Sequence, residues 1–254
     1  MGEASVTVQD SVRITNGEGK GTYVLTCDHA SNFMPPEFAG LGLSPDQFER
    51  HIAWDPGALG VAQAMAAALD APLIETGISR LVLDCNRPLD APDLISPVSE
   101  TTIIPGNQDL SPEERQVRIA RCWQPFHDAV DSVIAARLAR GQETRLVSVH
   151  SFNPVYKGVD RPWQIGVIYD DDTRLAQPLI RALNNVVGLN VGANEPYTPA
   201  DRVYFTLERH ARSRGLPCAM IEIRNDEIAD RAGEQKWAEL LSALLDQIKI
   251  GEGA

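Results

Sequence analysis

Cysteine, long apolar runs and positive charge are all scarce in this 254-residue sequence. The four cysteines show no CxxC pairing and no dense framework, so we expect buried free thiols in a reducing compartment. No run approaches the roughly 18 apolar residues of a membrane span. The chain has 35 acidic and 23 basic residues, so its formal net charge is −12. This charge argues against nucleic acid and anionic membranes as partners.

The start of the chain is polar and lacks the apolar segment of a secretory signal, so we expect a cytoplasmic protein. The length fits one large α/β domain, and we find no internal repeat or linker. We therefore predict a single catalytic domain over residues 1–254, with residues 1–20 as a peripheral N-terminal segment. The sequence allows a monomer or a small homo-oligomer.

Short apolar runs alternate with helical patterns, which is typical of a layered α/β domain. The predicted strands are apolar on both faces, as in a sheet covered by helices on each side, and span 22–27, 72–75, 81–84, 145–149, 165–169 and 218–223. The predicted helices span 56–69, 111–138 with a kink near Pro125, 175–186, 204–212 and a C-terminal stripe from Trp237 to Ile248.

Two of the five histidines directly follow predicted strands. His29 comes after the strand at 22–27, and His150 comes after the strand at 145–149. Ligand sites of open α/β sheets form at the carboxyl ends of the strands, and imidazoles held there are good zinc ligands. A structural histidine explains either one alone, but the shared placement favours a metal site.

A catalytic zinc usually takes three protein ligands and leaves one position for water. Asp55 is the most plausible third ligand, although its place before Pro56 also suits a helix N-cap. Asp28 and Asn32 compete for this position, and His51 is a weaker candidate. The sequence assigns no role to the remaining histidines, His127 and His210.

Glu222 lies near the end of the strongly apolar strand predicted at 218–223. A buried carboxylate is costly unless it is paired or used. A zinc hydrolase needs a carboxylate that takes a proton from water and passes it to the leaving amine, and Glu222 suits that role. The structural alternative is an ion pair between Glu222 and Arg224.

An acidic protein that binds an anionic substrate needs a local positive site. Arg87 with Asn86 follows the strand predicted at 81–84 and could grip a carboxylate bidentately. Arg80, just before that strand, and Arg224 are the next candidates. Cys27 is close to His29, but it ends an apolar run and is better explained as core than as a nucleophile.

These elements together resemble the N-formylglutamate amidohydrolase family from about Val24 to Ile248. The matching stretches are DHAS at 28–31, WDPGA at 54–58, LDCNRP at 83–88, VHSF at 149–152, ERHARSRGLP at 208–217 and IEIRND at 221–226. Their order is also similar to that of zinc muramoyl-alanine amidases and, more loosely, of zinc carboxypeptidases.

The resemblance implies a three-layer αβα zinc-hydrolase fold with a mixed, mostly parallel sheet, like that of zinc exopeptidases. It implies one Zn²⁺ held by His29, Asp55 and His150, with Glu222 as base and Arg87 binding a small anionic substrate. Family members commonly have a His-Ser-Gly pattern where this chain has His29-Ala30-Ser31, so the substrate could differ from N-formylglutamate.

The resemblance favours hydrolysis of N-formyl-L-glutamate or a similar N-acyl amino acid. A muramoyl or peptide amidase is the alternative among enzymes, and the lack of a secretion signal argues against it. A non-catalytic ligand-binding domain on the same scaffold is the alternative outside enzymes. Retention of both histidines and Glu222 argues against that alternative.

Overall fold

A computed structural model describes residues 11–250 of the chain. Its main sheet has seven strands in the order β1-β3-β2-β6-β11-β9-β10, and two short hairpins, β4-β5 and β7-β8, lie outside it. The strands are β1 Val12–Thr15, β2 Tyr23–Cys27, β3 Leu73–Thr76, β4 Val98–Ser99, β5 Thr102–Ile103, β6 Arg145–Phe152, β7 Val155–Tyr156, β8 Val159–Asp160, β9 Ile165–Ile168, β10 Val191–Ala193 and β11 Cys218–Arg224.

Within residues 11–250, six α-helices flank the sheet, and a π-helical segment, Ile119–Trp123, joins the second to the third. They are α1 Ala58–Ala68, α2 Pro112–Arg118, α3 Gln124–Ala139, α4 Ala176–Asn184, α5 Phe205–His210 and α6 Arg231–Gln247. Ser111 and Glu114 form the capping box that begins α2. None of the helices within residues 11–250 is long and apolar enough to cross a membrane.

Helices cover both faces of the sheet, which makes three layers. Alternate residues of one strand enter different cores: Leu25 packs with α1, α4 and α6, whereas Val24 packs with α3 and α5. All five residues of β2 and all eight of β6 are buried. This burial on both faces explains the uninterrupted apolar runs and confirms the predicted three-layer α/β fold.

The sheet is mixed, with a parallel centre. Strands β3, β2, β6 and β11 are parallel neighbours, while β1 and β9 pair antiparallel with β3 and β11. The edge strand β1 lies within residues 1–20, the segment predicted to be peripheral. The first ten residues of that segment lie outside the described part of the chain. The sequence analysis missed β1 and β10, which are short and only partly buried.

The strand predicted at 81–84 is wrong, because these residues form a turn followed by irregular backbone. The amide of Val82 donates to the carbonyl of Ser79, and the apolar side chains enter two separate clusters. Leu81 packs with one cluster and Val82 with the other. The apolar run thus reflects burial of a loop and not pairing in a sheet.

Gly57 sets the direction of the chain at the start of α1. Its φ of 79° lies in the left-handed region, and a Cβ there would lie 2.3 Å from the carbonyl oxygen of Ile228. Glycine avoids both the backbone strain and the clash. The turn therefore fixes the short segment that connects Asp55 to the helix.

We predict that Gly57→Ala destabilises the protein more than Gly141→Ala. Gly141 also has a positive φ, 67°, but none of the described residues lies within 4 Å of its added Cβ, so its substitution should cost only about 1 kcal/mol from strain. Gly57→Ala adds overpacking against Ile228, which costs about 1–3 kcal/mol more. Urea unfolding of both variants measures the difference, and equal losses would contradict the packing argument.

Candidate active site

The carboxyl ends of three parallel strands converge on one cavity of about 180 Å³. His29 follows β2, His150 lies within β6, and Glu222 on β11 is paired in register with His150. Asp55 reaches the same place from the loop before α1, where its amide donates to the carbonyl of His29. The sheet therefore brings four residues from distant parts of the sequence together.

His29, Asp55 and His150 form a group that could hold a metal ion. One ligand atom from each lies within 4.8 Å of the others, and all three residues are buried. The Oδ2 atom of Asp55 lies 3.3 Å from Nδ1 of His29 and 2.9 Å from Nδ1 of His150. Two imidazoles and one carboxylate with room for a further ligand are a donor set that catalytic zinc uses.

Asp55 is not the side-chain cap of α1. The residue before the helix is Gly57, no side chain caps that end, and the Asp55 carboxylate turns toward the two histidines. Its Oδ1 atom is buried without a hydrogen-bond partner among the described residues. The helix-cap explanation for this aspartate is therefore wrong, and the carboxylate is free to act at the site.

The far sides of both imidazoles are also held. Nε2 of His29 lies 2.8 Å from Oδ1 of Asp84, and Nε2 of His150 lies 2.9 Å from Oγ of Ser148 and 3.6 Å from Oδ2 of Asp28. Carboxylates placed behind metal-binding histidines fix the ring orientation and raise its basicity. Asp84 and Asp28 occupy these positions, with the Nδ1 atoms turned inward.

The sequence offered Asp28, Asn32 and His51 as other candidate ligands, and the structure places each of them outside the group of His29, Asp55 and His150. Asp28 faces Nε2 of His150, away from the atoms shared with Asp55. Asn32 donates to the carbonyl of Phe48, outside the group. His51 lines the cavity, and its Nε2 donates to the carbonyl of Ser151 at 2.5 Å and lies 3.4 Å from Oδ1 of Asp55.

Two effects set the pKa values at the site. Burial disfavours the charged form of each group, and close partners of opposite charge favour it. Burial would raise the pKa of Asp55, but His29 and His150 hold it well below its usual value. Burial would lower the pKa of His150, but the nearby carboxylates of Asp28 and Asp55 raise it well above its usual value. Among the described groups, the Asp55 carboxylate is therefore stabilised as an anion by the positive charge around it.

Glu222 has a different environment. It is 4% exposed, it lines the cavity, and its Oε2 atom has no hydrogen-bond partner within residues 11–250. Burial raises its pKa to about 7. A carboxyl group that titrates near neutral pH can both accept and return a proton. The proposed pair with Arg224 is absent, because Arg224 binds Asp226 at 2.7 Å and Glu227 at 3.3 Å.

Two of the predicted arginines line the cavity, and both have carboxylate partners. Arg80 binds Asp84 at 2.5 Å and lies 3.6 Å from Oδ1 of Asp55. Arg87 donates from Nε to Asp93 at 2.9 Å. Both arginines flank residues 81–84, which were predicted to be a strand but form a loop. The loop still brings both arginines to the site.

Asn86 lines the cavity, and its amide joins this loop to the start of α5. The amide nitrogen donates to the carbonyl of Val203, and the amide oxygen accepts from the backbone N–H of Thr206 at 3.0 Å. Arg224 lies apart from the cavity-lining residues, at the end of β11. The structure thus brings Arg80, Asn86 and Arg87 to the site and directs Arg224 toward its neighbouring acids.

Sequence reasoning missed Asp84, which contacts His29, Arg80 and Arg87. It also missed Tyr156 on β7 and Tyr197 in a loop, which line the cavity. Asp84 carries a signal that could have found it, since it is an acidic residue inside an apolar run. The tyrosines carry none, because the path of a two-residue strand and of a loop depends on tertiary packing.

Comparisons with known proteins bear on the family and the fold of the chain. The family model described as N-formylglutamate amidohydrolase matches residues 21–229. A gene product of Agrobacterium tumefaciens with a known crystal structure is 42% identical over 94% of each chain, with a TM-score of 0.92. An N-formylglutamate amidohydrolase from Ralstonia eutropha is 21% identical over 92% of this chain and 95% of its own, with a TM-score of 0.69, which shows a shared fold. No curated protein matches the chain.

We predict that the purified protein binds one divalent metal per chain and that His150→Ala abolishes tight binding. Two remaining ligands rarely hold zinc, so His29→Ala should also abolish tight metal binding. The measurement is metal content after dialysis, with zinc titration by calorimetry. His51→Gln is the matched control and should keep its metal. Full occupancy in both alanine variants would refute the ligand set.

We also predict that Asp84→Asn weakens zinc binding without removing a ligand. Its Oδ1 atom accepts a hydrogen bond from Nε2 of His29, and loss of such a carboxylate typically costs about 10–100-fold in metal affinity. Competition with a chelator measures the affinity, and Asp93→Asn, which removes a carboxylate partner of Arg87 and Arg202, serves as control. Equal affinities in Asp84→Asn and the unsubstituted protein would count against this role.

Proposed function

The chain belongs to the N-formylglutamate amidohydrolase family, and from this premise we propose that it is a zinc-dependent enzyme that hydrolyses N-formyl-L-glutamate or a similar N-acyl amino acid. The observation that carries the proposal is the buried group of His29, Asp55 and His150, with Glu222 on the adjoining strand. We place the activity in one catalytic domain acting in the cytoplasm on a small anionic substrate.

The residues fit the metal by their chemistry. Three buried donors surround one point, Oδ1 of Asp55 has no hydrogen-bond partner within residues 11–250, and Asp84 orients His29. A bound zinc would polarise the acyl carbonyl and lower the pKa of a water molecule. The protein's own task is to position the substrate and move protons.

Glu222 is assigned as the general base and acid. Its carboxylate accepts a proton as the water oxygen attacks the acyl carbon, and it returns that proton to the nitrogen as the C–N bond breaks. A pKa of about 7, raised by burial, suits both directions of transfer. The products are the free amino acid and formate or another carboxylate.

Arg80 is assigned to the negative charge that develops on the acyl oxygen. Its guanidinium lies 3.6 Å from Asp55 and is oriented by Asp84 at 2.5 Å, so little reorganisation is needed. Arg87 remains our first assignment for a substrate carboxylate, and Asn86 positions the loop that carries it. Arg224 is a weaker candidate because Asp226 and Glu227 already bind it.

The first test is release of formate or acetate by the zinc-loaded protein from a panel of N-formyl and N-acetyl amino acids. N-formyl-L-glutamate and N-acetyl-L-glutamate share their carboxylates and differ only in the acyl group. Release of formate or acetate from at least one member supports the proposal. A fully zinc-loaded protein that hydrolyses none of them would favour a non-catalytic binding domain.

We predict that Glu222→Gln lowers kcat by about 10²-fold or more while zinc content and folding stay unchanged. The amide keeps the shape of the side chain but cannot take the proton. Steady-state kinetics and metal analysis of one preparation provide both measurements.

Glu100→Gln is the matched control for Glu222→Gln. Glu100 lines the same cavity, but Arg50 and Asn153 already bind its carboxylate, so its loss in kcat should stay below about tenfold. Loss of zinc in Glu222→Gln would instead make Glu222 a ligand. Equal kinetic losses in the two variants would contradict its assignment as base.

A further inference from the structure

Arg161, in the loop between β8 and β9, lies in an aromatic environment. Its guanidinium carbon lies 4.5 Å from the ring centre of Tyr156, 4.8 Å from that of Tyr197 and 5.7 Å from that of Phe152. The residue is 9% exposed. Its Nη1 atom donates to the Tyr197 hydroxyl at 3.0 Å. Cation–π contacts of this kind stabilise a desolvated guanidinium without neutralising its charge.

Among the described residues, no carboxylate balances the positive charge of Arg161, unlike that of the other arginines near the cavity. Arg80 and Arg87 each bind a carboxylate, whereas within residues 11–250 no carboxylate oxygen lies within 4 Å of Arg161. Burial of an unpaired cation is unfavourable, so a partner anion would stabilise it.

Other buried arginines satisfy their donors with protein acceptors. Arg137 donates to the carbonyls of Gly19, Gly21 and Glu143, and also to Thr144. Within the described residues, the side chain of Arg161 has one acceptor, the Tyr197 hydroxyl. A guanidinium carries five N–H donors, so most of those on Arg161 have no acceptor among the described residues.

Two of the three rings around Arg161 belong to the candidate active site. Tyr156 and Tyr197 line the same cavity as Asp55 and Glu222. Burial raises the pKa of Tyr197 to about 12, so its hydroxyl stays protonated while it accepts the bond from Arg161. A phenol and a guanidinium side by side present adjacent donors, which is the arrangement that a carboxylate accepts.

We propose that Arg161, together with the Tyr197 hydroxyl, binds a carboxylate of the substrate and so selects acidic N-acyl amino acids. The inference rests on the proposed function for its substrate class, and it adds an anion site separate from Arg87. It also supplies the local positive charge that a chain of net charge −12 requires.

The test compares Arg161→Gln with the unsubstituted protein, both loaded with zinc, on substrates that differ by one charge. The substrates are N-formyl-L-glutamate, N-formyl-L-glutamine and the α-amide of N-formyl-L-glutamate. We expect kcat/KM for the diacid to fall about 10–100-fold, the range expected for a charge-assisted contact. The fall should nearly vanish for the one amide that lacks the contacted carboxylate. Arg161→Lys should recover only part of the loss, because it keeps the charge without the fork.

Binding without turnover gives an independent readout. Calorimetry compares glutarate with glutaramate, its monoamide, on the same zinc-loaded proteins. Arg161→Gln and Tyr197→Phe should reduce the preference for glutarate, whereas Arg140→Gln, which removes a charge at an exposed position, should not. Melting temperatures verify that each variant is folded.

The outcomes separate this inference from the proposed function. Hydrolysis with an unchanged preference for acid over amide in Arg161→Gln overturns the role of Arg161 and leaves the amidohydrolase intact. A reduced preference for glutarate in Arg161→Gln supports the anion site even where no N-acyl amino acid is hydrolysed. Loss of preference in Arg87→Gln alone, or no preference for glutarate in the unsubstituted protein, overturns it.

Discussion

The Asp55 carboxylate, buried between two imidazoles, is the contact on which the rest of the site depends. It is 2% exposed, so its charge is stable only while His29 and His150 remain within hydrogen-bonding distance. Those histidines come from two adjacent parallel strands, and their spacing follows from the sheet. A one-residue change in strand register would move a side chain to the opposite face and leave the carboxylate unpaired.

This buried anion also explains the composition of the surrounding loops. Asp28 and Asp84 add negative charge behind the histidines, and Arg80 adds positive charge beside Asp55. Asp84 holds the His29 imidazole by a hydrogen bond, and Asp28 lies 3.6 Å from His150, so removal of one group would change the charge around the others. A divalent cation fits such a network because it balances carboxylates that the protein's own cations balance only in part.

The sequence alone could predict the main placements, for physical reasons. Histidines after parallel strands must share one edge of the sheet, so His29 and His150 were expected to meet. Asp55 was found by its place before a helix, although its carboxylate turned out not to cap that helix. The apolar run around Asp84 was mistaken for a strand because burial alone produces such a run. Arg161 had no pattern at all, since its environment comes from aromatic rings on β6, on β7 and in a separate loop.

The remaining histidines show how the helical layer supports the site. His127 on α3 donates from Nε2 to the carbonyl of Cys85 at 3.0 Å and contacts His210 on α5 at 2.7 Å. His210 donates in turn to Asp131 at 2.9 Å. Cys85 lies directly after Asp84, so this chain of contacts anchors the irregular loop that orients His29. A loop without sheet pairing needs such an anchor, because its backbone acceptors must be satisfied by side chains from the helices that cover it.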